Sequence, residues 1–141
     1  MSAQARILAA PLRRPERWVL ATAALVAAVA HVPVIGPHLD EAPYMGVLFI
    51  VLTVACLAIA AAALVRDSVA VYGLATLTCG LAVLGYAATR VVAFPMLGDD
   101  VGNWLEPLGV VSVAAELVAV AAGVSALVSR GRRTVTQLAP R

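Results

Sequence analysis

The sequence is poor in charged residues and contains no lysine. Charged side chains make up 13% of the 141 residues and hydrophobic ones 62%, which excludes a globule that stays dispersed in water. All ten cationic residues are arginine, in a background of Ala, Val, Leu and Gly that a GC-rich genome tends to encode. The composition indicates a membrane protein and suggests a bacterial source.

Cysteine and histidine are also scarce, with two residues of each. Cys56 and Cys79 both lie in apolar stretches, so they provide neither a secreted disulfide framework nor a CxxC metal motif. We expect them to touch at mid-membrane as small packing residues, with a redox role as the alternative. A haem protein of this size would need two axial histidines across its core. Since only His31 lies in an apolar stretch, haem is not expected.

Motifs of the common enzyme classes are missing as well. The chain has no nucleophile elbow, phosphate-binding loop, dinucleotide fingerprint or zinc-protease motif. An enzyme is therefore not expected, although an oxidoreductase in the membrane remains open. We expect no nucleic-acid partner.

The sequence does contain four apolar stretches, each long enough to cross a hydrocarbon core of about 30 Å. We predict an all-α polytopic membrane protein, a single domain over residues 1–141 that forms an up-and-down bundle of four transmembrane helices. Short tails at residues 1–17 and 130–141 flank the bundle. The four spans are predicted at about residues 18–35, 44–65, 69–94 and 105–129.

Charge asymmetry predicts the orientation of the bundle. Nine arginines fall on one face: Arg6, Arg13, Arg14, Arg17, Arg66, Arg130, Arg132, Arg133 and Arg141. The two loops of the other face are acidic and contain no Lys or Arg. The positive-inside bias therefore places both termini in the cytoplasm and the protein in a bacterial plasma membrane. Trp18 is expected at the inner interface, and Tyr44 and Trp104 at the outer one.

Two alternatives to this organisation stay open. The arginine-bearing start, followed by the apolar run that ends at Ala30, resembles a secretory signal peptide that would be cleaved. The run continues to Ile35, however, which favours a retained span. The two loops of the outer face share Gly, Glu and Pro in a similar order. This similarity fits either a duplicated helical hairpin or the residues that ordinarily end one helix and begin the next.

Small residues on the fourth span predict how its helix packs. A stripe at helical spacing combines five small residues with one acid: Gly109, Ser112, Glu116, Ala119, Gly123 and Ala126. Within lipid such a stripe should face other helices. On the third span the same spacing collects most polar side chains on one face, which is expected to point inward: Tyr72, Thr76, Cys79, Val83, Tyr86 and Arg90.

Arg90 and Glu116 are the two charges that lie inside the spans and require partners. Both side chains lean towards the N-terminus of their own helix, so on antiparallel neighbours they lean towards each other. We expect a buried Arg90–Glu116 pair, joined by His31 at a similar depth, in a pocket open to the outside. The alternative is that Arg90 reaches the headgroups, His31 bonds a carbonyl freed by a proline, and Glu116 is protonated against Ser112.

The acidic outer loops form a candidate mouth of this pocket. His38, Asp40, Glu41, Asp99 and Asp100 supply nitrogen and oxygen donors that suit Zn or Cu(II), although no metal motif accompanies them. Helix capping is the simpler explanation for these acids. For the fourth helix we expect either an Asn103–Glu106 capping box or Glu106 immediately before Pro107 as the first helical residue.

Taken together, these features predict a small integral membrane protein with an outward-facing polar pocket. We expect it to act as a binding or accessory subunit for a small ligand, a metal ion or a larger membrane complex. The alternative is a proton-coupled small-molecule transporter that works as a homo-oligomer through Glu116.

Overall fold

The computed structural model describes residues 15–138 of the chain, and side chains up to residue 130. Four long helices account for most of this range: α1 (Glu16–Glu41), α2 (Pro43–Val65), α3 (Val69–Val91) and α4 (Pro107–Leu138). Each is long and apolar enough to cross a membrane. The predicted all-α fold with four such helices is confirmed. Most of the predicted tail at residues 1–17 lies outside the described residues.

Helix α1 extends beyond its predicted end at residue 35, passing Pro33 and Pro37 to reach Glu41. Ala42 alone separates it from α2. A continuous helix keeps most backbone groups hydrogen-bonded within the chain, whereas an open loop would leave more of them unpaired. His38 and its acidic neighbours therefore lie on the last turns of a helix, where the sequence had suggested a loop.

The connection between α3 and α4 is longer than predicted, because α3 ends at Val91 and α4 begins at Pro107. Glu106 caps α4 directly: its carboxylate accepts the backbone N–H groups of Leu108 at 3.1 Å and Gly109 at 2.5 Å. This arrangement confirms Glu106 before Pro107 as the start of the helix. At the other end α4 continues past residue 129 to Leu138.

The bundle core consists mainly of alanine. Helix α1 packs against α2 and α4, and α3 packs against α4 and less extensively against α2. The main buried cluster contains Leu20, Ile59 and Tyr72 as its large members, surrounded by alanines from all four helices. Small side chains allow helix backbones to approach closely, which is the principal source of helix association in lipid.

The predicted small stripe of α4 does face its neighbours. Ser112, Glu116, Ala119 and Ala126 are buried. A Cβ atom added to Gly123 would collide with Thr76 Oγ1 and lie 3.0 Å from the carbonyl oxygen of Tyr72. A Cβ added to Gly109 would collide with the ring of Tyr86. The inward face predicted for α3 is therefore the one that contacts α4.

Candidate functional site

A histidine, a serine and a glutamate meet inside the bundle. His31 on α1 and Ser112 on α4 share a hydrogen bond of 3.0 Å between Nε2 and Oγ. The same His31 Nε2 lies 3.5 Å from Glu116 Oε1. His31 is 4% exposed and Glu116 1% exposed. Two ionisable side chains from different helices are thus enclosed together.

The local sequence explains how these groups come together. Ser112 and Glu116 are four residues apart on α4 and therefore lie one above the other on the same helix face. The facing part of α1 presents Ala27 and Ala28, both buried against Ala115. Because these side chains are small, the two backbones approach closely enough for His31 to reach across.

Groups from the other two helices complete the surroundings of the site. The ring of Phe49 on α2 lies 5.5 Å from that of His31 and 4.8 Å from that of His38, centroid to centroid. Cys56 on α2 and Cys79 on α3 are free, fully buried thiols. Their side chains interact with each other, as expected from the sequence, and Cys79 is also close to Glu116.

Arg90 is paired with Asp100, and not with Glu116 as the sequence suggested. Its guanidinium lies 2.5 Å from Asp100 Oδ1, donates to the Asp100 carbonyl at 3.1 Å and stacks on the ring of Tyr86 at 4.5 Å. The backbone N–H of Gly102 donates to the Arg90 carbonyl oxygen at 2.9 Å. Arg90 is close to the end of its helix, so a loop that folds back onto it supplies a nearer carboxylate than the bundle centre does.

This loop, residues 92–106, is held by several contacts. Tyr86 donates its hydroxyl to the Trp104 carbonyl at 2.9 Å, and Tyr44 donates to the Pro95 carbonyl at 2.7 Å. Leu97, a residue of the loop itself, is buried. The turns at Met96 and Gly102 have positive φ angles of 62° and 83°. Asp100, predicted as part of an acidic mouth, is therefore a structural partner of α3.

The other predicted mouth residues remain apart from the buried site. Asp40, Glu41 and Asp99 are exposed, and His38 Nδ1 bonds the Val34 carbonyl of its own helix at 2.8 Å. Within residues 15–130 no three His, Cys, Asp or Glu side chains gather as a metal site would require. The donors suggested for Zn or Cu thus do not converge in this part of the chain.

Sequence reasoning missed several partners. Ser112 was expected beside Glu116, which it does neighbour, but its hydrogen bond with His31 was not expected. Phe49 was not identified, since an aromatic residue on an apolar helix carries no signal of which neighbour it contacts. Tyr86 could have been identified as the aromatic partner of Arg90, because the two residues are four apart on α3.

A second feature of the bundle is an apolar groove between α1 and α4, with a volume of about 700 Å³. Trp18 lies at one end of it, and its walls and floor include Val19, Ala23, Val26, Val111, Ala114 and Val118. The groove is open and nearly devoid of polar groups, so it differs from the outward polar pocket expected from the sequence.

The buried site has the groups needed to hold a proton, a small cation or a hydrogen-bonding ligand. A carboxyl, an imidazole and a hydroxyl offer both donors and acceptors, and all three side chains are buried. Helix α1 supplies the imidazole, and α4 supplies the other two groups. Comparison with family models, curated proteins and solved structures finds no protein that matches this chain.

Proposed function

We propose that this chain is a bacterial plasma-membrane protein with both termini in the cytoplasm and its four helices in up-and-down order. Nine arginines outside the apolar stretches support the orientation through the positive-inside bias. The helix order is supported by the positions of contacts along the chain. Gly123 is nearest Tyr72 and Thr76, whereas Gly109 is nearest Tyr86, so α3 and α4 pair in opposite senses.

Its function in this proposal is that of a binding or accessory subunit, centred on His31, Ser112 and Glu116. The single observation that carries the proposal is the approach of His31 Nε2 to Glu116 Oε1 within the bundle. Charged groups at mid-membrane cost about 2.5 to 3.5 kcal/mol each on insertion scales. A pair of apolar residues would fill the same space more cheaply, so the retained polar pair indicates a role in binding.

The ligand or partner is expected to approach from the outer side of the bundle. Asp40, Glu41 and Asp99 are exposed there, and the loop of residues 92–106 connects that side to Arg90. Exposed carboxylates attract cations, and the buried carboxyl and imidazole provide the contacts for a small positively charged group. A cationic ligand, or a cationic part of a larger membrane complex, suits this arrangement better than a metal ion does.

Thermal unfolding of the purified full chain in detergent, with and without small cations, tests this function. Sodium, methylammonium and guanidinium chloride serve as probes of increasing size at constant ionic strength. A ligand that binds only the folded state stabilises it by RT ln(1 + [L]/Kd), so the melting temperature rises with the logarithm of ligand concentration once the concentration exceeds Kd. We expect at least one probe to stabilise the wild type, and Glu116→Gln and His31→Gln to lose that effect.

Glu16→Gln is the matched control, because Glu16 lies at the start of α1, away from the buried site. It should respond to the probes as the wild type does. If no cation stabilises the protein, or if Glu116→Gln responds unchanged, the binding proposal is rejected.

Proton-coupled transport by a homo-oligomer is the second candidate, favoured by the contact between two groups that can each bind a proton. Glu116 is enclosed by its own protomer at 1% exposure, so in this scheme the proton site is complete within one chain. Proteoliposomes with an imposed pH gradient and an internal pH-sensitive dye provide the test. Proton flux that is lost in Glu116→Gln supports transport. If vesicles with and without the protein leak protons at the same rate, transport is ruled out.

A further inference from the structure

The groove between α1 and α4 is concave because small residues line its floor. Ala23 on α1 and Ala114 on α4 lie where larger side chains would fill the space, while valines form the walls. Between Trp18 and Val26 the groove follows α1 for about 12 Å, given a rise of 1.5 Å per residue. Most of the remaining outer surface consists of exposed Leu and Val side chains, which is expected of a surface in contact with lipid.

The groove ends at a cation. Trp18 lies in its lining and is 59% exposed, and the guanidinium carbon of Arg17 lies 5.1 Å from the centre of the Trp18 ring. Tryptophan prefers the membrane interface, where its ring contacts both acyl chains and headgroups. The groove thus offers an apolar surface to an acyl chain and a cation to a phosphate, which together complement a phospholipid.

Further arginines belong to the same end of the bundle. The start of α1 and the later part of α4 are in one buried cluster, in which Leu20 and Ala24 accompany Ala122 and Ala126. Arg17 on α1 and Arg130 on α4 therefore belong to this end of the bundle. In the sequence, Arg6, Arg13 and Arg14 precede Arg17, and Arg132 and Arg133 follow Arg130. Basic clusters next to transmembrane helices recognise anionic lipid headgroups.

We propose that the α1–α4 groove is a binding site for an anionic phospholipid, with one acyl chain along the groove and the phosphate beside Arg17. This site is separate from the buried His31–Glu116 pair and independent of the function proposed for it. The apolar lining accepts the chain, while Arg17 selects for negative charge at the headgroup.

A second copy of the chain is a less suitable occupant of the groove. Copies inserted in the same orientation would bring their arginine-rich ends to the same side of the membrane, where like charges repel. An anionic lipid neutralises these charges. Charge complementarity thus favours the lipid, and dimerisation through the groove becomes an outcome that the experiment must detect.

Fluorescence of Trp18 tests the proposal directly, because bromine on an acyl chain quenches tryptophan at short range. The chain has two tryptophans, and Trp104→Phe leaves Trp18 as the single fluorophore. This variant is reconstituted in neutral phosphatidylcholine that contains a small fraction of either brominated phosphatidylglycerol or brominated phosphatidylcholine. We expect the anionic lipid to quench Trp18 at a several-fold lower fraction than the neutral lipid does.

Three further substitutions, each added to Trp104→Phe, locate the lipid. Arg17→Gln should reduce the preference for the anionic lipid by about five-fold, the effect of one arginine near a charged headgroup. Ala114→Phe should abolish the preference by filling the groove. Ala58→Phe places the same ring at an exposed position of α2, a helix that does not line the groove, and should leave the preference unchanged.

Equal quenching by the two lipids would overturn the proposal, as would an unchanged preference in Ala114→Phe. Weak quenching by both lipids, together with a dimer that Ala114→Phe dissociates in analytical ultracentrifugation, would assign the groove to a second copy and also overturn it. Circular dichroism of each variant shows whether the helices are retained. If Ala114→Phe does not fold, Val118→Phe provides a second obstruction within the same groove.

Discussion

His31 and Glu116 lie 85 positions apart in the sequence and 3.5 Å apart in the bundle, from Nε2 to Oε1. Both side chains are buried, and Ser112 holds the imidazole from the same helix that carries the glutamate. The polar centre of the bundle is therefore shared between α1 and α4, and its energetics can be tested one group at a time.

The coupling between His31 and Glu116 is measurable by a double-mutant cycle. Replacing either residue by leucine leaves the other without its buried partner and should lower the free energy of unfolding by about 1 to 3 kcal/mol. Replacing both should cost less than the sum of the two single changes by at least about 1 kcal/mol. Unfolding in mixed micelles by titration with dodecyl sulfate measures all four proteins. Strict additivity would show that the two side chains do not interact.

Ser112→Ala tests the hydrogen bond that positions the imidazole. Loss of a buried partner for His31 Nε2 should destabilise the protein by about 1 to 2 kcal/mol. Ser129→Ala is the control, because Ser129 is partly exposed and bonds only the Ser125 carbonyl of its own helix. The control should change the free energy of unfolding by less than about 0.5 kcal/mol. Comparable effects of the two substitutions would contradict a special role for Ser112.

Arg90→Gln should loosen the loop of residues 92–106. The substitution removes the ion pair with Asp100, in which the arginine side chain is 7% exposed, and we expect a loss of about 1.5 to 3 kcal/mol in local stability. Hydrogen exchange of the loop amides, read by mass spectrometry, should become faster. Asp100→Asn should act in the same direction and Asp99→Asn should not, since Asp99 is exposed. Unchanged exchange in Arg90→Gln would refute this account of the loop.

Gly123→Ala should weaken the contact between α3 and α4. The added methyl group would meet the Tyr72 carbonyl oxygen and Thr76 Oγ1, and backbone atoms cannot move aside without separating the helices. We expect a loss of about 1 to 3 kcal/mol in the free energy of unfolding. Gly80→Ala, where the methyl group would meet no atom within 4 Å, should be neutral or stabilising. If both substitutions have the same effect, close approach at Gly123 is not important for stability.

Glu106→Ala should remove the N-terminal cap of α4. Its carboxylate accepts two backbone N–H groups, and loss of such a cap costs about 0.5 to 2 kcal/mol. Asn103→Ala, which would disrupt the alternative capping box, should leave stability unchanged. Thermal unfolding in detergent distinguishes the two. A larger effect of the Asn103 change would restore the capping-box interpretation.

Four helices long and apolar enough to cross a membrane could be predicted from the sequence, because length and hydropathy are local properties of a chain segment. The inward faces of α3 and α4 were also predictable, since helical periodicity fixes which side chains share a face. The C-terminal end of α1 could not be predicted in the same way. Prolines and a glycine predict a break, but a continued helix leaves fewer backbone groups unpaired, and α1 continues past residue 35 to Glu41.

The partners of the buried charges depended on tertiary structure. The sequence identified His31, Arg90 and Glu116 as groups that need partners, since the cost of burying a charge follows from residue type and depth alone. It assigned Arg90 to Glu116, whereas the structure pairs Arg90 with Asp100 and Glu116 with His31. Pairing depends on how a loop folds back and on how closely α1 approaches α4. Those distances arise from the packing of the whole bundle, which no single stretch of the sequence encodes.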